Sequence, residues 1–419
     1  MNGFLRGTLL AALSGIALAL VGCGGGGGSN PPGASAPTAV VPPLPLPGPY
    51  AVACSNIVQD FSRLGAGEDV QGYWEGVPSV TGVPRYATDL LADPGNTLIA
   101  TVTAPLDTNL YGSFAGQDLA FVVLVCYPTT VDNPFDNYSL PNGKIVPHMQ
   151  IGSDAPLFAD ASARYPVLAF SHGYGGSPLS NDYTSALSVF ASYGYVVIAP
   201  FHGDVRFSDL KIDNLGDAIA VGSHLDDFTA LQALRPLSIS AALDLVLAHP
   251  QWQGHIDNTQ IGGFGASMGG ETMMLLGGAG LTTSYFDIGG SMKQVTRDSR
   301  IKAAVGYVPY FGQPVLPAFG RDQAGLSGIN LPFLGISGTA DTTAPISEVE
   351  IGMSRLTGTR RLVALSGVTH GFDAASTNDI FTWTLTFLDA EVRGIPAAQD
   401  RLSTMGSVAG GGDDSVVIF

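Results

Sequence analysis

Ser267 lies at the centre of the pentapeptide Gly265-Ala-Ser-Met-Gly269. An apolar run precedes the pentapeptide, and a segment with a helical pattern follows it. This arrangement is typical of a nucleophile elbow, in which a strained turn between a strand and a helix exposes a serine hydroxyl at the edge of a sheet. Small residues are needed two positions to either side, because larger ones would collide there. We therefore predict that Ser267 is a nucleophile that attacks a carbonyl carbon.

A neutral serine hydroxyl needs a neighbouring base to take its proton. Of the seven histidines in the chain, only His370 follows the elbow, and it comes shortly after the apolar segment 361–365. The alternative is a histidine that makes only a structural hydrogen bond in its loop. The chain order favours His370 as the base for Ser267, because the histidine comes last in hydrolases with this elbow.

The base in turn needs a carboxylate that orients it. Asp341 follows the apolar segment 331–337 and lies between the serine and the histidine in the chain, as this order requires. Asp322 and Asp373 are competing candidates, but the first precedes its strand and the second follows His370. We therefore predict that Asp341 is the acid of the triad.

The Gly-rich turn His172-Gly-Tyr-Gly-Gly176 follows the predicted strand 166–171. A turn at this place supplies one amide of the oxyanion hole, and the residue after the nucleophile supplies the other. With Gly173 allowing the bend, the amides of Tyr174 and Met268 are the predicted pair. The alternative is a tight turn that uses glycine only for a positive φ.

Strands and helices alternate from Pro166 onward, which predicts a parallel sheet covered by helices on both faces. Residues 98–104 and 118–127 read as an opening antiparallel pair of strands. Residues 128–163 carry turn residues and no strong periodicity, so they are predicted to be a loop. The later strands are predicted at 166–171, 195–201, 301–308, 331–337 and 361–365, and the helices at 182–192, 235–249 and 378–392, with Pro236 in the first turn of the second helix.

Residues 205–234 interrupt the alternation with mixed polar residues and several carboxylates. We expect an insertion over the carboxyl edge of the sheet, where ligands bind in open α/β folds. It would help to shape the acyl or alcohol pocket, or it would be a loop without substrate contact. His202, just before this stretch, is interpreted as a structural hydrogen-bonding residue rather than a catalytic one.

The charge balance excludes some partners. The chain has 18 basic and 35 acidic residues in 419, a net charge of −17, so its folded surface should not bind nucleic acid or anionic lipid. A hydrophobic content of 45% is ample for a core. We predict one domain over residues 50–393, and the tail 394–419 has no predicted place.

The amino terminus predicts export. Residues 1–22 have one early charge and then an apolar run, as in a signal peptide. The sequence Leu20-Val-Gly-Cys23 resembles a bacterial lipobox, which implies that Cys23 is lipidated; an ordinary signal peptide cut near Gly22 is the alternative. Residues 23–49 are rich in Gly and Pro and are predicted to be a flexible tether. By the same resemblance, a Gly after the Cys favours the outer membrane.

Two cysteines remain for the folded domain. Cys54 and Cys126 form an even pair in an oxidising compartment, which predicts a disulfide. Two buried thiols are the alternative. The spacing forms no metal-binding motif.

Several segments together resemble α/β-hydrolase esterases. These are Phe170-Ser-His-Gly-Tyr-Gly-Gly176, Tyr193-Gly-Tyr-Val-Val-Ile-Ala199, Arg235-Pro236 and Gly265-Ala-Ser-Met-Gly-Gly270. The resemblance spans residues 165–392 and is strongest to esterases related to platelet-activating-factor acetylhydrolase and to dienelactone-hydrolase-like bacterial proteins. It implies an α/β-hydrolase fold, a triad of Ser267, Asp341 and His370, and no metal or organic cofactor.

The sequence departs from these relatives at two places. Ala266 replaces the His that many of them carry before the serine, and His202-Gly203-Asp204 replaces a His-Arg-Asp pattern. Ser-Met after a small residue is also similar to cutinase-like polyester hydrolases, so the substrate class stays open. The expectation is an exported serine carboxylic-ester hydrolase that forms an acyl-enzyme on a small or polymeric ester. The alternatives are an extracellular polyester depolymerase and a catalytically silent binding lipoprotein; the oligomeric state is not predicted.

Overall fold

The structure is a computed structural model. It describes residues 37–55, 90–140, 144–150, 154–180, 183–208, 225–284, 292–312, 318–372, 374–411 and 413–419. The predicted signal peptide, Cys23 and most of the predicted tether lie outside these residues, as do residues 56–89 and 209–224.

The strands follow one another along the chain as β1 (Ala39–Val41), β2 (Ala51–Ser55), β3 (Ile99–Thr103), β4 (Asp118–Thr129), β5 (Tyr138–Ser139), β6 (Ile145–Val146), β7 (Met149–Gln150), β8 (Tyr165–Ser171), β9 (Val196–Pro200), β10 (Ile256–Ala266), β11 (Gly280–Thr282), β12 (Met292–Gln294), β13 (Ile301–Tyr307), β14 (Phe333–Gly338), β15 (Arg360–Leu365), β16 (Met405–Val408) and β17 (Asp414–Ile418). The helices are α1 (Thr108–Tyr111), α2 (Tyr183–Ser192), α3 (Asp204–Phe207), α4 (Leu225–Ala248), α5 (Met268–Leu276), α6 (Ile346–Arg355), α7 (Thr377–Glu391) and α8 (Pro396–Thr404).

The main sheet has the strand order β17-β15-β14-β13-β10-β8-β9-β4-β2-β7, with β3 paired to β4. The strands from β15 to β9 in this order run parallel to one another. β4 is antiparallel to β9, β2 and β3, which confirms the predicted antiparallel start of the sheet. Because parallel strands end at the same edge, the turns after β8, β10, β14 and β15 meet there.

Helices cover both faces of this sheet. Along β8, Leu168 and Phe170 pack into one apolar cluster with residues of α2 and α7, while Val167 and Ala169 pack into a second cluster with residues of α4, α5 and α6. Successive side chains of a strand point to opposite faces, so the two clusters lie on opposite sides of the sheet. The predicted fold class, an α/β-hydrolase fold with a mostly parallel sheet, is confirmed.

The predicted start of the helix at Arg235-Pro236 is wrong, because α4 begins at Leu225 and Pro236 lies inside it. A proline inside a helix costs about 3 kcal/mol through its missing N–H and its ring. Phe228, Leu231 and Leu234 recur at helical spacing and are buried, and their burial offsets that cost. Residues 225–234, the last third of the predicted insertion, are thus part of a core helix.

Part of α4, Asp226–Ala248, is the one stretch of the described chain that is long and apolar enough to cross a membrane. In the fold, 78% of its most apolar window is buried. A helix at the surface needs a polar face toward water, but a helix that is covered on most sides can be apolar all round. Its composition therefore reflects its place beneath the sheet.

Segments on both sides of the predicted domain, residues 50–393, contact the rest of the fold. Within residues 37–49, part of the predicted tether, β1 pairs in parallel with β16, and the Leu44 amide donates to Thr382 Oγ1 at 3.0 Å. The tail adds β17 to the edge of the main sheet, antiparallel to β15. Each segment is short, and each forms only by pairing with a partner distant in the chain.

The predicted disulfide is confirmed. Cys54 and Cys126 face each other in the register of β2 and β4 and are bonded to each other. Both side chains are buried. The region of residues 128–163, predicted to be a loop, contains the short strands β5, β6 and β7.

Candidate active site

Ser267 lies between the end of β10 and the start of α5, with φ 53° and ψ −120°. Such a conformation is costly for a residue with a side chain and is found mainly where function requires it. A Cβ atom on Gly265 would lie 2.0 Å from the Gly269 carbonyl oxygen, and one on Gly269 would lie 2.0 Å from the Ser171 oxygen. The small residues around the serine are therefore required by contact between the strand, the turn and the helix.

Backbone hydrogen bonds hold this turn against the end of β13. The Ser267 amide donates to the Tyr307 oxygen at 2.9 Å, and the Ser267 oxygen accepts from the Tyr310 amide at 3.0 Å. Both groups of the strained residue are thus paired with a neighbouring segment of the sheet edge. The turn is held in place, and only its hydroxyl is left to react.

His370 brings its imidazole to this hydroxyl from the turn after β15. Its Nε2 lies 2.9 Å from Ser267 Oγ, and its Nδ1 lies 2.7 Å from Asp341 Oδ2. An ionised carboxylate only accepts hydrogen bonds, so Nδ1 carries the proton and Nε2 presents a lone pair to the serine. This tautomer is the one that a general base requires.

Asp341 follows β14 and is itself held in place. Its Oδ1 accepts from the amides of Thr343 at 2.8 Å and Ala344 at 2.9 Å, while Oδ2 faces His370. The carboxylate is fully buried, whereas 29% of the His370 side chain is exposed. The exposed part of the imidazole therefore faces the cavity, and its buried part faces Asp341.

The two other candidates for the acid, Asp322 and Asp373, can be compared with Asp341 only in part. Asp322 lies in the turn-rich segment Arg321–Gly328 with φ 54°, and it is exposed. Asp373 lies outside the described residues. Of the candidates that can be compared, Asp341 is the one in contact with His370.

A cavity of about 550 Å³ opens at Ser267 and His370. Its wall is mainly aromatic and small: Gly173, Tyr174, Tyr183, Ala266, Tyr307, Val308, Thr343, Gly371 and Phe372. The rings of Tyr307 and Phe372 lie 4.6 Å apart, and Tyr183 meets Phe372 edge to face at 6.0 Å. Among the described lining residues there is no Asp, Glu, Lys or Arg, so the wall suits a neutral, apolar group.

The predicted insertion at residues 205–234 contributes none of the lining residues in the parts that the structure describes. Residues 209–224 lie outside those parts, so the expected role of the insertion in shaping the pocket stays a prediction for them.

The turn after β8 carries the predicted oxyanion amide of Tyr174. Within it, the Gly173 amide donates to the Tyr183 hydroxyl at 3.0 Å. The residue with positive φ is Gly175, at 65°, rather than Gly173. Gly173 is needed for a different reason, because a Cβ atom there would lie 2.7 Å from the Tyr183 hydroxyl oxygen. Tyr174 lines the cavity and Met268 is the first residue of α5, so both predicted oxyanion residues lie beside Ser267.

His202 makes structural contacts, in agreement with the interpretation from sequence. Its Nε2 lies 2.8 Å from Ser171 Oγ and its Nδ1 lies 2.7 Å from Ser238 Oγ. Burial, together with the positive charge of Arg235, lowers the pKa of His202 well below its ordinary value. Burial and the same arginine lower the pKa of His172 to about 3. Both imidazoles are therefore neutral at physiological pH.

Sequence reasoning missed a buried ion pair behind the turn. Arg235 of α4 binds Asp204, and the two also contact the backbone of residues 172–175. The signal in the sequence was Arg235 itself, the one basic residue of α4, next to a proline that suggested a helix start. Among the described residues, no group of three or more His, Cys, Asp or Glu side chains is placed to hold a metal ion.

Residues 147–208 match the family model of platelet-activating factor acetylhydrolase, isoform II. The matched segment contains β8, the turn with Tyr174, α2, β9 and Asp204. It therefore covers the turn that carries Tyr174, while Ser267, Met268, Asp341 and His370 lie beyond it. A search of the curated proteins found no match.

Proposed function

We propose, on the premise that the chain is an α/β-hydrolase esterase of the platelet-activating-factor-acetylhydrolase-like family of serine ester hydrolases, that it cleaves carboxylic esters through Ser267, His370 and Asp341. The observation that carries the proposal is the distance of 2.9 Å between Ser267 Oγ and His370 Nε2. A base within hydrogen-bond reach of the hydroxyl is the first geometric requirement for an activated serine.

In the acylation step, Ser267 Oγ attacks the ester carbonyl carbon as His370 Nε2 takes its proton. Asp341 keeps Nδ1 protonated and stabilises the imidazolium that forms. The amides of Tyr174 and Met268 hold the negative oxygen of the tetrahedral intermediate. His370 then gives its proton to the leaving alkoxide, which departs as the alcohol and leaves an acyl group on Ser267.

In the deacylation step, a water molecule attacks the acyl carbon while His370 takes one of its protons. The second tetrahedral intermediate breaks its bond to Ser267 Oγ, and His370 returns the proton to this oxygen. The carboxylic acid leaves, and the enzyme is back in its starting state. Each proton moves through the same imidazole nitrogen, which is the one that faces the serine.

The substrate is proposed to be a neutral ester with an apolar group. The wall built by Tyr183, Tyr307 and Phe372 is aromatic, and the described lining residues offer an acyl or alcohol portion no charged partner. The name of the matched family model makes an acetyl ester a natural first substrate. A polyester is the second candidate, because the same aromatic wall can pack against the repeating unit of a polymer.

Hydrolysis of p-nitrophenyl acetate, p-nitrophenyl octanoate and a polyester film by the purified protein tests this proposal. Ser267→Ala is compared with Ser327→Ala, a matched change at an exposed serine away from the cavity. We expect Ser267→Ala to lose at least about 10⁴-fold in rate and Ser327→Ala to keep the wild-type rate. Equal rates for Ser267→Ala and the wild type would contradict the proposal. The substrate that is hydrolysed fastest among the three identifies the class of ester that the enzyme prefers.

Export with a lipid anchor at Cys23 is proposed alongside this activity. The amino-terminal pattern and the disulfide between Cys54 and Cys126 support it, since such bonds persist in oxidising compartments. Cells that express the full chain are labelled with a radioactive fatty acid and extracted with a phase-separating detergent. The wild type should carry label and enter the detergent phase, and Cys23→Ser should do neither. An unlabelled wild type would contradict the lipid anchor, and outer-membrane fractionation tests the expected location.

A further inference from the structure

Arg235 is buried, with only 1% of its side chain exposed. Its Nε donates to Asp204 Oδ1 at 3.0 Å and its Nη2 donates to Asp204 Oδ2 at 2.9 Å. Two parallel hydrogen bonds of this kind are the strong, orienting form of an arginine–carboxylate pair. A buried ion pair adds little net stability compared with apolar residues of similar size. Stability alone therefore does not explain why Arg235 and Asp204 are buried together.

The remaining N–H groups of Arg235 reach the turn that carries Tyr174. Nη1 donates to the His172 oxygen at 2.9 Å, and Nη2 donates to the Gly173 oxygen at 2.9 Å. From the other member of the pair, Asp204 Oδ2 accepts the Gly175 amide at 2.9 Å. The ion pair thus binds the turn on both sides of Tyr174.

The same guanidinium also approaches the helix after the nucleophile. Nη1 lies 3.5 Å from Thr272 Oγ1, and this hydroxyl donates to the Met268 oxygen at 2.9 Å. Arg235 is therefore connected to both segments that supply the proposed oxyanion amides. Each of its five N–H groups has an acceptor in this set of contacts.

The Gly173 oxygen and the Tyr174 N–H belong to one peptide unit. This unit is planar and trans, so its C=O and N–H point in opposite directions. A second donor acts on the same oxygen, since His172 Nδ1 lies 2.8 Å from it. His172 Nε2 accepts the His202 amide at 3.3 Å, so the proton of this neutral imidazole is on Nδ1.

We propose that Arg235 is a positioning residue that orients the Tyr174 amide toward the reacting carbonyl oxygen, with Asp204 holding the guanidinium in place. Fixing the Gly173 oxygen on the arginine side directs the Tyr174 N–H away from it. Hydrogen bonds to the carbonyl also polarise the peptide and strengthen its N–H as a donor. The inference rests on the proposed function, because it gives Tyr174 a task in ester hydrolysis.

The test compares Arg235→Lys with Arg300→Lys in the full chain. Lysine keeps the positive charge but has no planar set of donors to span Asp204, His172 and Gly173. Arg300 offers a matched control, because it binds Asp298 with Nε at 2.9 Å and Nη2 at 2.6 Å and does not line the cavity. Rates are measured with p-nitrophenyl acetate well below the unfolding temperature of each variant. Affinity is measured for phenylboronic acid, which forms an anionic tetrahedral adduct on a serine hydroxyl.

We expect Arg235→Lys to lower kcat by about 10- to 100-fold while KM changes by less than about threefold, since the amide acts mainly on the transition state. Phenylboronic acid should bind more weakly by a similar factor. The acidic limb of the pH–rate profile should not move, because the described contacts of Arg235 do not include His370. Arg300→Lys should keep the wild-type kcat. A folded Arg235→Lys with wild-type kcat, or with a loss confined to KM, would overturn the inference.

Asp204→Asn gives a second test if Arg235→Lys does not fold. It retains the arginine and the size of its partner but removes the ion pair, and kcat should fall by about tenfold with weaker boronate binding. Unchanged kcat and boronate affinity in this variant would also overturn the inference. Failure of the proposed function has a different signature, namely a Ser267→Ala protein that is as active as the wild type.

Discussion

Asp341 accepts a hydrogen bond of 2.7 Å from His370 Nδ1 and uses its other oxygen for two backbone amides. Asparagine at this position can offer its NH₂ group to Nδ1 and thereby favour the tautomer with the proton on Nε2, which cannot accept from Ser267. We predict that Asp341→Asn lowers kcat for p-nitrophenyl acetate by about 10³- to 10⁴-fold. Asp322→Asn, an exposed change at the competing acid, should leave kcat unchanged. A loss of less than tenfold in Asp341→Asn would remove this residue from the mechanism.

The turn around Ser267 depends on the absence of side chains. In Gly265→Ala the new methyl group would meet the Gly269 oxygen at 2.0 Å, so the turn or the start of α5 must shift. We predict a drop in kcat of at least about 100-fold, because small displacements of a catalytic group are costly, together with a lower melting temperature. Gly254→Ala, at an exposed position away from the cavity, is the control, since nothing lies within 4 Å of its added methyl group. Similar kcat values for the two variants would contradict this account of the elbow.

The disulfide between Cys54 and Cys126 closes a loop of 72 residues in sequence. A crosslink over such a loop stabilises the fold by about 4 kcal/mol in the chain-entropy model. We predict that the double variant Cys54→Ala, Cys126→Ala loses a free energy of unfolding of about this size, as measured by urea denaturation. Its kcat below the unfolding transition should stay at the wild-type value, because neither cysteine lines the cavity. Identical urea midpoints for the variant and the wild type would refute the prediction.

Glu271, in the first turn of α5, is a buried acid whose Oε1 accepts from Gln232 Nε2 at 2.5 Å. Burial raises its pKa from the ordinary 4.5 to about 8, although Gln232 and Arg235 act in the opposite direction. The folded state therefore retains a proton that the unfolded state releases. This contribution to stability is fully present below pH 4.5 and is lost as the pH rises through about 8.

Glu271→Gln removes this titration. Between pH 5 and pH 8 the wild type should lose up to about 1.4 kcal/mol of unfolding free energy per pH unit relative to the variant. Urea denaturation of both proteins at these two pH values measures the difference. A stability difference that is the same at pH 5 and pH 8 would show that Glu271 titrates normally in the fold.

The three side chains of the candidate triad could be predicted because of where they lie relative to the strands. Ser267, Asp341 and His370 each follow a strand of the parallel part of the sheet, and such strands end at one edge. Local patterns of apolar residues were enough to place each strand. The contact among the three then follows from the topology rather than from any long-range detail.

Features that depend on pairing between distant segments could not be predicted in this way. β1 has three residues and β16 has four, which is too short for a periodic pattern, and each has a strand partner only because the fold brings distant segments of the chain together. The same holds for Arg235 and Asp204, which come from different elements. Pro236 misled the prediction because a proline favours a helix start locally, while the burial of the preceding turn decides where α4 begins.

We propose above that His370 activates the Ser267 hydroxyl for attack on an ester. Labelling with a fluorophosphonate, followed by mass spectrometry of the digested protein, tests it most directly. We expect one phosphonyl group per chain on the peptide that contains Ser267, a loss of ester hydrolysis in proportion to labelling, and slow labelling of His370→Ala. A fully active protein that takes up no label at Ser267, or one labelled at another serine as its activity falls, would contradict it.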